Sequence, residues 1–205
     1  MESRMMKKIV LAVFTIVGFF VFAQSAFGTP TAIPLGDLLL VQSLNDVAFS
    51  TTLGTVYVDS VVQQYTTGTY AGQYLYTYQI SNDCSLAVSF FSVGMPEDVS
   101  IDPVGYESGG VEPAMWSTAV SNSGRIECVQ AMFSSTIDYG EDSATLWMIS
   151  AESCGPAKGS LVGTSYGMPS FASNDLLAPA PEPATIAFLA VAFGLVRLIR
   201  RKRSS

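Results

Sequence analysis

The chain of 205 residues contains no histidine. This removes Ser-His-Asp and Cys-His nucleophile arrangements, histidine metal ligation and imidazole acid–base work. Cysteine is scarce as well. Cys84, Cys128 and Cys154 are the only three, and their spacings match no metal-ligand pattern. No glycine-rich phosphate cradle is present. Ser165 has glycine two places away on either side, at Gly163 and Gly167, as a nucleophile elbow does. Without a histidine and without a strand–turn–helix context, that stretch reads as a loop. No cofactor and no resident metal is expected. Basic residues are almost missing from the middle of the chain. Between Thr29 and Pro183 there are only Arg125 and Lys158 against sixteen Asp and Glu, a net charge of −14, whereas the whole chain carries −7. Such a segment repels nucleic acid and anionic membrane surfaces, so no nucleic-acid partner is expected.

The other basic residues sit at the two ends. Arg4, Lys7 and Lys8 precede an uncharged, mostly apolar run from Ile9 to Ala23, and Ala26 and Gly28 follow two residues apart. Basic region, apolar region and small-x-small site make up a secretory signal peptide over residues 1–28. The expected cut lies between Gly28 and Thr29, with a cut after Ala26 as the alternative. An uncleaved anchor is disfavoured, because the apolar run is short of the ~20 residues that a span wants.

At the other end, Ala184 to Val196 carries no charge, and Leu198 and Ile199 extend the run around Arg197. Helical residues rise ~1.5 Å each, so the run covers about 24 Å of a ~30 Å hydrocarbon core. It is a marginal span, workable if Arg197 and Arg200 snorkel toward the headgroups. Arg200, Arg201, Lys202 and Arg203 then hold that end on the cytoplasmic side of the inner membrane. A buried core helix is disfavoured because the run is apolar on all faces and leaves no side for water. Before it, the prolines of Ala-Pro-Ala-Pro-Glu-Pro predict an extended, polyproline-like spacer, with Pro183 in the first helical turn.

The triplet Pro181-Glu182-Pro183, the small Ala184-Thr185 after it, the short apolar run and the terminal Arg/Lys cluster resemble the PEP-CTERM sorting signal. The resemblance covers about 25 residues at the extreme C-terminus, with a signal peptide at the opposite end, and it departs from the pattern in the early Arg197. It implies a Gram-negative export system and processing near the triplet by a membrane-embedded exosortase. The released protein would then associate with the cell surface and the extracellular polymeric matrix, which makes exopolysaccharide a candidate partner.

The remaining segment, 29–178, is long enough for one domain with a real core. Its pattern is β. Short runs rich in Val, Ile, Thr, Tyr and Phe recur at 54–66, 72–81, 86–94, 124–134 and 143–153, separated by Gly, Asn, Asp and Ser. In the second of these runs, Tyr74, Tyr76, Tyr78 and Ile80 share one face and Leu75, Thr77 and Gln79 the other, and the aromatic face is expected to be buried. The stretch 35–47 reads as a strand, and Ser121 to Gly124 as a turn. The fold class expected is an all-β, antiparallel β-sandwich-like domain between a signal peptide and a C-terminal transmembrane helix, the helix lying within a sorting segment at 179–205 that also holds the proline-rich motif and the basic tail. Three cysteines in an exported segment allow one disulfide and one leftover. Cys128 lies inside a predicted strand as a small hydrophobe, whereas Cys84 and Cys154 lie beside turns and are the expected pair. The acids Glu97, Asp98 and Asp102, or Asp138, Glu141 and Asp142, offer hard oxygens for Ca²⁺, yet neither set matches an EF-hand and both read as solvated loop acids. The expected function is a non-enzymatic, exported surface or matrix protein. The alternatives are a secreted carbohydrate-active hydrolase using paired carboxylates and a permanently anchored single-span protein.

Overall fold

The computed structural model describes residues 31–51, 53–96, 99–121, 124–163 and 173–180. Ten strands account for most of them, and no helix occurs among the described residues. They are β1 (Leu38–Thr51), β2 (Gly54–Tyr65), β3 (Tyr74–Cys84), β4 (Val88–Gly94), β5 (Ile101–Glu107), β6 (Pro113–Val120), β7 (Ile126–Ile137), β8 (Thr145–Ser150), β9 (Cys154–Gly163) and β10 (Asn174–Pro179). They form two five-stranded antiparallel sheets, ordered β1-β2-β3-β8-β5 and β10-β9-β4-β7-β6.

The core lies between the sheets because period-2 alternation sends one set of side chains inward from each strand. From the first sheet come Val56, Val58 and Val62 of β2 and Tyr76, Tyr78 and Ile80 of β3. From the second come Phe91 and Val93 of β4, Val129 and Ala131 of β7 and Leu161 of β9. The Tyr78 and Phe91 rings meet across the gap at a centroid distance of 5.8 Å and a tilt of 55°, a favourable edge-on geometry. The sheets are also tied by polar bonds. Tyr78 Oη donates to the Leu177 carbonyl at 2.6 Å and Trp116 Nε1 to the Trp147 carbonyl at 2.9 Å.

The aromatic face of β3 is buried, as the alternation requires, but Leu75 on the opposite face is buried too. Leu75 joins Tyr65, Trp147 and Ile149 in a second, smaller cluster on the outer side of the first sheet, closed by Ile33, Leu38 and Tyr70. Residues 31–37 cover this cluster and are fastened by hydrogen bonds. Thr31 N donates to the Tyr106 carbonyl and Trp147 Nε1 to the Thr31 carbonyl, both at 2.9 Å, and Tyr65 Oη donates to the Pro34 carbonyl at 3.1 Å.

The stretch expected as a strand at 35–47 is one from Leu38, interrupted by bulges at Val41 and at Asn45–Asp46. Asp46 takes a left-handed φ of 55°, which Asp tolerates better than most residues, and its N–H donates to Asp59 Oδ1 at 2.7 Å. The turn at 121–124 joins β6 to β7, with Ser121 N donating to the Arg125 carbonyl and Gly124 at φ 83°. The prolines lie at edges. Pro103 sits in the bulge of edge strand β5, and Pro113 opens edge strand β6. Pro156 falls outside the part of β9 that pairs with β4, and Pro179 ends edge strand β10. The proline-rich segment begins as a strand of the domain: Ala178 and Pro179 are buried in β10, and Ala180 N still donates to the Ser153 carbonyl at 2.8 Å.

Candidate functional site

The end signals lie outside the described residues. Gly28 and Thr29, the triplet Pro181, Glu182 and Pro183, and the cluster Arg200, Arg201, Lys202 and Arg203 all fall outside them, as do Glu97, Asp98 and most of the loop around Ser165. Among the described residues no helix is long and apolar enough to cross a membrane.

The expected Cys84–Cys154 disulfide is not formed, and all three cysteines are free. The reason is placement. Cys154 begins β9 beside Tyr76, and its thiol donates to Gln42 Oε1 at 3.3 Å. Cys84 ends β3, eight residues along the strand from Tyr76, with its sulfur 3.8 Å from Thr51 Oγ1. At ~3.3 Å per residue the two thiols stand roughly 25 Å apart, against the 4.4–6.8 Å between Cα atoms that a disulfide needs. Cys128 is half-buried in β7, and burial, followed by the nearby Glu127, raises its thiol pKa.

The acids Asp138, Glu141 and Asp142 belong to one tight turn between β7 and β8. Glu141 Oε2 accepts from the Asp138 N–H at 2.9 Å, and Asp138 Oδ1 accepts from Thr136 Oγ1 at 2.7 Å. These carboxylates cap their own turn. Among the described residues no group of three His, Cys, Asp or Glu side chains converges on a cation position.

The turn nonetheless forms one wall of an open cleft of about 600 Å³. The second wall is the β5–β6 connection, Ser108 to Val111, and the floor is Gln79 of β3 and Thr145 of β8. Backbone bonds clamp the walls together. Val111 N donates to the Asp142 carbonyl at 2.8 Å and Ala144 N to the Val111 carbonyl at 2.9 Å. Gly110, at φ 87°, lies so close to Asp142 and Ser143 that a Cβ there would meet their backbone. Beneath the cleft, Asn82 is the fastening point. Its buried Nδ2 donates to the carbonyls of Leu86 and Ile137 at 2.9 and 2.8 Å, and its Oδ1 accepts from Cys84 N at 2.8 Å. The cleft offers uncharged amide and hydroxyl groups on its floor and carboxylates on one rim. Its two loops, at 108–111 and 138–142, lie far apart in sequence and meet because β3 and β5 both pair with β8, so no local sequence signal marks it. No family model, no curated protein and no solved structure matches this chain.

Proposed function

We propose that the protein is an exported surface or extracellular-matrix protein, non-enzymatic, held for a time by its C-terminal apolar segment and processed near Pro181–Pro183 by an exosortase-type enzyme. One observation carries the reading: the ordered triplet, apolar run and basic cluster at one end, opposite a signal-peptide pattern at the other. Two contacts support it. Thr31 is already tied into the domain through Tyr106 and Trp147, so a cut at Gly28–Thr29 leaves the fold intact. Ala180 N still donates to the Ser153 carbonyl, so the domain reaches to the residue before the triplet.

Fractionation of cells carrying the native tail or one with Pro181 and Pro183 replaced by Ala tests the sorting claim. Release into the medium should fall and membrane retention rise in the variant, and identical distributions would sink the claim. Intact mass of the mature protein separates processing from permanent anchoring. The basic cluster has its own test. Replacing Arg200, Arg201, Lys202 and Arg203 with Ser removes charges that oppose translocation, since each costs about 2.5–3.5 kcal/mol at the centre of the membrane. A C-terminal reporter should then become accessible from the periplasm, and a reporter that stays cytoplasmic would show that the apolar run stops transfer alone.

A hydrolase reading draws on the cleft rim, where Glu141 and Asp142 stand side by side. The engagement of Glu141 by its own turn weakens it. A glycan-hydrolysis screen of the native protein against Asp142→Asn decides: turnover lost in the variant would establish the hydrolase.

A further inference from the structure

The outer face of the second sheet carries two straight rows of side chains that run across four strands. Alternation defines the face: Phe91, Val93, Trp116, Val129, Ala131 and Leu161 point into the core, so their neighbours point out. Register then aligns Met115 of β6, Met132 of β7, Phe90 of β4 and Val162 of β9 in one row. Two residues along the strands, Ser117, Gln130, Ser92 and Ser160 form a second row in the same strand order. One row is apolar, the other hydroxyl and amide, and neither holds a charge although the segment 29–183 carries sixteen acids.

The face is open at its apolar row, where Met132 is 48% exposed. Ser92 and Ser160 join hydroxyls at 3.0 Å. The Ser117 hydroxyl is buried and has no hydrogen-bond partner. That is unusual for this fold, whose buried Ser60, Ser143 and Ser150 hydroxyls are all bonded to backbone carbonyls. An unsatisfied buried hydroxyl is costly, and it sits at the end of the polar row.

We infer that this face binds an uncharged polysaccharide chain lying across the strands. The inference rests on, and deepens, the matrix reading above. The apolar row meets the C–H faces of the sugar rings, and the half-buried Gln130, Ser92 and Ser160 of the polar row meet their hydroxyls. Charge decides the ligand class. The segment's net charge of −14 repels an anionic polymer. Lys158, at the margin of the face, is already paired with Asp175 at 2.7 Å, and neither row has a carboxylate to hold a cation. Strands ~4.8 Å apart make the rows about 14 Å long, room for roughly three sugar units.

The test uses the purified full chain, independently of export. Retention on cellulose, mannan and dextran is measured beside alginate as the anionic control, for the native protein, Met132→Lys, Gln130→Ala and Leu40→Lys. Leu40 is a similarly exposed apolar residue on β1, at 60%, and thermal unfolding checks that each variant folds. The expected result is retention on at least one neutral polymer and none on alginate. Met132→Lys should weaken it about tenfold and Gln130→Ala severalfold, with Leu40→Lys unchanged. The inference is overturned by failure to bind every neutral polymer, by undiminished binding in folded Met132→Lys, or by equal loss in Leu40→Lys. It is equally overturned if Met132→Lys instead dissociates a dimer, since the face would then be a self-interface. None of these outcomes bears on sorting, which the tail variants test separately.

Discussion

At Leu177 two side chains of one sheet reach a strand of the other. Tyr78 Oη donates to its carbonyl at 2.6 Å, and Ser60 Oγ accepts from its N–H at 3.1 Å while lying 3.4 Å from the same carbonyl. All three residues are buried, so each lost bond leaves a group without water. Tyr78→Phe should cost about 1–2 kcal/mol, and Ser60→Ala about 1–3 kcal/mol because it strands the Leu177 N–H. The two share an acceptor, so the double variant should depart from additivity by at least about 0.5 kcal/mol, read by denaturant unfolding; strict additivity would mean the bonds are independent. The cysteines make a second residue-scale case. Denatured without reductant, the protein should titrate three free thiols; a count of one would restore the Cys84–Cys154 bridge. Here the sequence misled for a plain reason. Both cysteines do sit at strand ends beside turns, but a turn's neighbourhood does not reveal which end of the sandwich it occupies, and these two are at opposite ends of β3.

Among the elements, the segment 31–37 depends on one glycine. Gly105 of β5 lies directly beneath the Trp147 indole, where a Cβ would overlap the ring. Gly105→Ala must push the indole away, which breaks the Trp147 Nε1 bond to the Thr31 carbonyl and opens the cluster of Tyr65, Leu75 and Ile149. A loss of about 2–3 kcal/mol is expected, from overpacking together with the lost bond. Early proteolysis between residues 31 and 37 should accompany it, and wild-type stability with an intact N-terminal segment would contradict this account. The strands whose alternation is clean, β2, β3, β4, β7 and β8, were legible in the sequence. So was the turn at 121–124, because its Ser-Asn-Ser-Gly chemistry is local. β5, β9 and β10 were not legible. Pro103, Pro156 and Pro179, with Gly155 and Gly159, read as breakers until the pairing shows that each proline faces an unpaired edge. The cleft at Gly109–Gly110 and Glu141–Asp142 was illegible for a different reason, since it exists only where two distant turns meet over Gln79 and Thr145. The two rows on the outer face are similar: each draws one residue from each of four strands.

The molecule as a whole balances an acidic surface against a core rich in tyrosine. The ion pair Lys158–Asp175 is exposed on both sides and contributes little, whereas packing between the sheets holds the fold. That packing contains phenols that must stay protonated. Burial first, and the adjacent Tyr76 second, hold the Tyr78 hydroxyl well above the usual phenol range. Tyr76 is raised in the same direction by burial, then by Cys154, Tyr74 and Glu152. In the unfolded chain both titrate near 10. Below that pH the phenols are protonated in both states and the stability they confer is fully present. Above it the unfolded state loses protons that the native state keeps, so it binds fewer and stability falls as pH rises. For Tyr78 the loss approaches about 1.4 kcal/mol per pH unit. Urea midpoints should therefore be level up to about pH 9.5 and drop steeply beyond pH 10, with the tyrosinate absorbance of the buried phenols appearing only in the unfolding transition. Tyr78→Phe separates this from general charge repulsion. The variant starts less stable at neutral pH, having lost the bond to Leu177, yet its stability should fall less steeply above pH 10 because one titrating phenol is gone. Parallel alkaline profiles for the two proteins would place the loss in the acidic surface instead of the core.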